Sequence, residues 1–122
     1  MARPIHFEFE ADDPERAAKF YRDVFGWKAE KWGGPVEYWL FTTGPEGEPG
    51  IDGGMARRQG APTGTINTIG VDDVDAAILK VLASGGVIVA PKHAIPGVGW
   101  IAYCRDTEGN AFGVEQDDPA AH

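Results

Sequence analysis

His6 and Glu8 are the residues of this chain best placed to do chemistry. In residues 5–11 (IHFEFEA), Ile5, Phe7, Phe9 and Ala11 alternate with His6, Glu8 and Glu10. That is the period-2 pattern of a strand with one apolar face, so His6 and Glu8 share the other face, about 7 Å apart along it. An imidazole and a carboxylate so spaced can hold one ligand group between them. If both are desolvated, the carboxylate raises the imidazole pKa and makes a proton donor or acceptor near neutrality. On a solvated face the same pair is merely polar, and the sequence leaves both readings open. The other histidines add nothing: His93 is read as a loop residue, His122 is terminal, and no Ser-His-Asp arrangement can be built.

The elements that position this pair are legible. After the strand, Asp12-Asp13-Pro14-Glu15 reads as a helix start, with Asp capping, Pro suited to the first turn and Glu facing the positive end of the dipole. Ala17, Phe20, Tyr21 and Val24 then form an apolar stripe at helical spacing, and Gly26 ends it. The pattern returns half a chain later. Residues 65–86 (TINTIGVDDVDAAILKVLASGG) repeat strand, Asp-Asp, a stripe of Val74, Ile78, Val81 and Leu82, and a glycine stop. Further strands are expected at residues 27–31, 36–43 and 51–57 in the first half, and at 87–90, 98–105 and 110–116 in the second. Residues 44–50 and 91–97 read as loops, 58–64 as a linker, and 117 onward as a frayed tail. GPEGEPG in the first of these loops lacks the spacing of a phosphate cradle.

The order is therefore strand–helix–strand–strand–strand, twice. The fold class is α+β: two βαβββ modules in pseudo-twofold repeat, forming a curved sheet around a cavity, with one face covered by helices. Residues 1–122 make one domain, with module one at about 4–58 and module two at about 64–116. The open sheet edges and aromatic content of so small a chain invite association as a homodimer.

Composition excludes several classes. A net charge of −8 without any Lys/Arg cluster tells against nucleic acid. No apolar run reaches the length of a membrane span, and the N-terminus lacks the apolar core of a signal peptide. The one cysteine, Cys104, forbids an internal disulfide and reads as a small buried hydrophobe, consistent with a cytoplasmic protein.

FYRDVFGW after DDP, VDDVDAA opening the second half, and GVGWIAYCRDTEGNAFGVEQ near the end resemble the vicinal oxygen chelate superfamily. That group holds glyoxalase I, bleomycin and fosfomycin resistance proteins and extradiol dioxygenases; this chain is most similar to its compact, single-chain glyoxalase-like branch. In metal-using members, the resemblance implies, each half gives one ligand from its first strand and one from its last. Those positions fall here on His6, on Ile66, near Gly113, and near Gly53 or Gly54, so three of them offer no donor atom. A displaced three-ligand site from His6, Glu8 and Glu115 is the alternative, for Zn, Mn or Fe.

Trp39, Tyr38, Trp100, Tyr103 and Phe112 alternate on their strands, so some pack under helices and some face the cavity. As a group they favour a flat apolar or aromatic ligand. The expected function is thus a glyoxalase- or bleomycin-resistance-like protein binding a small molecule in a sheet-lined cavity with no cofactor. The pocket residues expected are His6, Glu8, Trp39, Trp100 and Glu115. The alternatives are a metal-dependent lyase or dioxygenase, resembling lactoylglutathione lyase, and a metal-free acid–base enzyme using His6 and Glu8.

Overall fold

A computed structural model describes residues 2–61 and 64–122 of the chain. Its elements run β1 (Arg3–Ala11), α1 (Pro14–Phe25), β2 (Lys28–Lys31), β3 (Trp39–Thr42), β4 (Asp52–Arg57), β5 (Ile66–Gly70), α2 (Val74–Ala83), β6 (Val87–Ile95), β7 (Gly99–Arg105) and β8 (Ala111–Asp117). The expected βαβββ order is present twice. The chain divides into two compact units, residues 6–65, and residues 66–122 with residues 1–5. Pro62 and Thr63 of the expected linker, and Met1, lie outside the described residues.

In the first unit the strands lie in the order β2-β3-β4-β1, antiparallel except for the parallel pair of β4 and β1. Asp13 caps α1 by accepting the Arg16 amide through Oδ1 at 3.1 Å, and Gly26 closes it at φ 74°. A positive φ of that size is why glycine stands there. The buried stripe is turned from the one expected. Pro14 and Ala18 are buried and Ala17 and Tyr21 pack on the core, whereas Phe20 and Val24 are more than half exposed. Two small residues let α1 lie close to the sheet, so the larger apolar side chains point away from it. Beneath lie Ala11, Trp39, Phe41 and Met55. Met55 is fully buried, and truncating such a side chain to alanine costs about 2–5 kcal/mol.

The second unit repeats the pairing. β7 lies antiparallel between β6 and β8, and β8 pairs β5 in parallel. Asp73 caps α2 through the Ala76 amide, and Val74, Ala102, Cys104 and Val114 form the core. Burial pushes the Cys104 thiol up, as befits an inert side chain.

Two expectations fail in this unit. Residues 91–95, read as loop, extend β6, whose register against β7 shifts twice on the way; bulges absorb Pro91, which cannot donate to a ladder. The tail is not frayed. The Trp100 indole donates to Asp118 Oδ2 at 2.9 Å, the Asp118 amide donates to the Val98 carbonyl, the Gly97 amide donates to the Ala121 carbonyl, and Ala121 is buried.

Candidate functional site

The parallel register of β1 and β4 sets which side chains meet. His6 pairs with Asp52, Glu8 with Gly54, and Phe7 and Phe9 with Gly53 and Met55. Paired residues point to the same side, so Phe7, Phe9 and Met55 face α1 while His6, Asp52 and Glu8 share the face away from it. Across β4, Leu40 pairs with Gly54, which puts Leu40 on the His6 face and its neighbours Trp39 and Phe41 on the helix face.

One residue before β3, Tyr38 reaches this polar face. Its carbonyl accepts from the Trp32 amide at 2.7 Å, continuing the β2–β3 ladder and fixing the backbone there. Its hydroxyl lies 3.0 Å from His6 Nε2 and donates to Glu8 Oε1 at 3.1 Å. The phenol thus stands between the two groups that the sequence paired. Tyr38 lies directly over Gly54: a Cβ added there would come within 1.8 Å of the Tyr38 oxygen. At Gly53 the corresponding Cβ would meet the Phe7 ring at 2.3 Å on the helix face. The two glycines therefore let one aromatic ring lie on each side of β4.

The hydrogen-bond chain assigns the histidine tautomer. With the Tyr38 proton given to Glu8, the phenol oxygen accepts, so His6 Nε2 carries the proton and Nδ1 keeps a lone pair. Burial lowers the His6 pKa, and the nearby Asp52 charge only partly offsets it. This reverses the expected rise: Glu8 bonds to the phenol and not to the imidazole, so desolvation of the ring prevails. Neutral His6 is the resting form at pH 7.

The remaining expected pocket residues are each placed within their own unit. Trp39 is 3% exposed, packs beneath α1, and donates from its indole to Glu15 Oε1 at 3.2 Å. Trp100 packs on the α2 side against the second core, with Lys92 Nζ 4.9 Å from its ring centre. Both tryptophans are therefore helix-face residues, and the aromatics opposite them are Tyr38 and Tyr103. In the second unit, Ile101 pairs with Glu115 and Tyr103 with Gly113, on the side away from α2. Glu115 is half-buried there, and burial, with the charge of Asp117, raises its pKa. The His93 ring stacks 6.3 Å from that of Tyr103, so it is a strand residue of this face.

His6 and Glu8 are both engaged by Tyr38, and Gly54 has no room for a ligand side chain. The set His6, Glu8 and Glu115 draws on both units. Among the described residues no group of three His, Cys, Asp or Glu side chains is gathered that could hold a metal. Nor, among them, is any helix long and apolar enough to cross a membrane.

Two βαβββ units, each a mixed sheet backed by one helix, define a protein of the glyoxalase fold. The chain belongs to the Glyoxalase/Bleomycin resistance protein/Dioxygenase superfamily, whose profile matches residues 3–114. It is 33% identical over 120 residues to the Mycobacterium tuberculosis protein named "Putative glyoxylase CFP32", across 93% of this chain and 45% of that one. The chain thus spans about half the length of that mycobacterial relative. A glyoxylase-like domain-containing protein of Didymella fabae is 33% identical over 112 residues, 88% of each chain. Among solved structures, Streptomyces coelicolor methylmalonyl-CoA epimerase in complex with 2-nitronate-propionyl-CoA superposes with a TM-score of 0.72 at 16% identity, over 100% of this chain and 99% of that one. A hypothetical protein, BH1468 of Bacillus halodurans, gives 0.71 at 12% identity, over 99% and 98%. At such identities the likeness is one of fold.

Proposed function

We propose that this chain binds a small, largely apolar molecule bearing one polar group, without a metal, on the face of β1, β3 and β4 that carries His6, Tyr38 and Glu8. The observation that carries this reading is the Tyr38 hydroxyl, which bridges His6 and Glu8 while its ring covers Gly54. A phenol so held orients a ligand by hydrogen bonds, and Leu40, 42% exposed on the same face, supplies apolar contact. The glyoxylase name of the relatives and the CoA-derived ligand of the structural neighbour bring small carbonyl compounds first into the search. A thermal-shift screen of such compounds tests the reading, because a ligand of the native state raises stability by mass action. Hits should lose affinity in His6→Ala and Tyr38→Phe; hits that bind both variants as tightly as the parent overturn the assignment.

The His6 tautomer supports a second, enzymatic reading. A neutral imidazole with a free Nδ1 lone pair is a general base, and the imidazolium formed would be steadied through Tyr38 by Glu8. Deuterium exchange into an acidic C–H of a bound carbonyl compound, lost in His6→Ala, would establish it. Binding without exchange leaves the chain a binding protein. The lyase and dioxygenase alternatives need a metal, and among the described residues no three donor side chains are gathered to hold one.

The outer face of α1, with Phe20, Val24 and Phe25 each more than half exposed, supports self-association as a homodimer. Light scattering at high micromolar concentration should give twice the chain mass; the monomer mass would reject it.

A further inference from the structure

The donors of the His6–Tyr38–Glu8 chain are all used within it. Ionised Glu8 can only accept, so Tyr38 gives it the phenol proton, and His6 in turn donates its Nε2 proton to Tyr38. What this relay leaves to a ligand is acceptors. One is the lone pair on His6 Nδ1; another is the carboxylate of Asp52, the partner of His6 across the parallel β1–β4 register. Both are open to the outside. His6 Nδ1 has no hydrogen-bond partner, and among the described residues the one unpartnered side-chain atom sealed from water is Arg58 Nε. Asp52 is exposed. Its Oδ1 accepts from the Thr43 amide at 2.8 Å, with the Thr43 hydroxyl 3.3 Å away. Those contacts hold the carboxylate in place and leave Oδ2 to the face.

Charge points the same way. Glu8 and Asp52 are both carboxylates, and none of the ion pairs among the described residues engages Asp52. On the edge strand the register puts Glu30 and Lys28 on this side with Leu40, and their charges offset each other. Two acceptors with net negative charge favour a cation that carries N–H donors and repel an acid. The spacing also fits. Side chains paired across adjacent strands stand about 5 Å apart, and a hydrogen bond spans about 3 Å, so one ammonium can reach both groups.

On the reading, proposed above and required here, that the ligand lies on the His6 face, we infer that its polar group is a protonated amine, donating to His6 Nδ1 and Asp52 Oδ2. The apolar part lies against Leu40. Tyr38 sets the preference: by accepting the Nε2 proton it keeps the lone pair on the open nitrogen of the ring. A lone carbonyl oxygen finds no donor in this set, so amines rank ahead of simple carbonyl compounds.

Titration of the intact chain at pH 7 with benzylamine, acetophenone and benzoate, followed by the nitrogen-15 resonances of the His6 ring, tests this directly. Benzylamine should move the Nδ1 signal and bind at least about tenfold tighter than acetophenone, the worth of one hydrogen bond to a charged group. Benzoate should bind weakest. Asp52→Asn keeps Oδ1 for Thr43 but removes the charge, and it should erase most of the amine's advantage over acetophenone. Acetophenone or benzoate binding as tightly as the amine, an advantage unchanged in Asp52→Asn, or an amine that binds without moving the Nδ1 signal would each overturn the inference. Its failure is separable from failure of the site itself. Acetophenone bound tighter than the amine, and lost in His6→Ala and Tyr38→Phe, would keep the site and reject the amine; if none of the three compounds moves the His6 signals, both are rejected.

Discussion

Replacing Tyr38 by Phe removes one oxygen and leaves the ring in place. The ring still covers Gly54, so no cavity opens, and the change isolates two hydrogen bonds, of 3.0 Å and 3.1 Å. Their loss strands the His6 Nε2–H donor on a half-buried face and takes one hydrogen bond from Glu8. A stranded buried partner costs about 1–3 kcal/mol, and partial access of water to this face puts the pair near the lower half of that range, about 1–2 kcal/mol in all. For a chain of this size that is a fall in the thermal midpoint of roughly 3–5 °C per kcal/mol. Urea unfolding followed by tryptophan fluorescence reads it as a lower midpoint at unchanged slope. The companion change is Gly54→Ala, whose Cβ must displace Tyr38; it should be costly in the parent and much cheaper beside Tyr38→Ala, because the ring it strikes is gone. A Tyr38→Phe protein within about 0.3 kcal/mol of the parent, below the usual worth of one hydrogen bond, would refute the bridge. So would equal costs of Gly54→Ala in the two backgrounds.

The pH dependence follows from two shifts of opposite sign. Burial lowers the His6 pKa, so the folded chain binds that proton less readily than the unfolded chain, and stability falls as pH drops below the ordinary histidine value, about 6.5. His6→Gln should flatten that limb of a stability–pH curve. Glu115 is raised, so its ionisation weakens the fold as pH climbs above the ordinary glutamate value, and Glu115→Gln should flatten the rise in cost there. Deleting residues 118–122 removes the Asp118 acceptor of Trp100 and the partners of the Gly97 amide and Val98 carbonyl. Calorimetry should show a lower unfolding temperature, where loss of a frayed tail would show none. Trp39→Phe forfeits the indole bond to Glu15 and should lower stability without changing the affinity of any ligand lost in His6→Ala.

Much of the fold was written in local chemistry. Asp13 and Asp73 cap, Gly26 reverses the chain, and alternation in β1 put His6 and Glu8 on one face. Which parity of β3 and β7 faced the helix was not written so plainly. A slip of one residue turns every side chain to the other face, and in residues 36–43 and 98–105 both parities carry aromatics. Trp39 is therefore expected on the His6 face, where the structure has Tyr38. Met55 of β4 held a usable signal: it carries an apolar side chain where Gly54 carries none, and Trp39 is its register partner. The helix stripe misled for a related reason. Phe20 and Val24 satisfy helical spacing, but Ala17 and Ala18 permit the closer approach, and tertiary contact decides between the two faces. The Tyr38 bridge was out of reach, because it joins residues about thirty apart through a loop that no periodicity describes.

The proposal stands on the Tyr38 hydroxyl bridging His6 and Glu8 on a face that binds its ligand without a metal. Its most direct test is the nitrogen-15 spectrum of the His6 ring during titration with Zn, Ni, Mn and Fe(II). The His6 imidazole should be neutral and protonated on Nε2 at pH 7, with ring resonances that stay in place, apart from uniform broadening, as each ion passes stoichiometry. Stoichiometric displacement or selective loss of the His6 Nε2 signal, with a rise in stability abolished by His6→Ala, would contradict it.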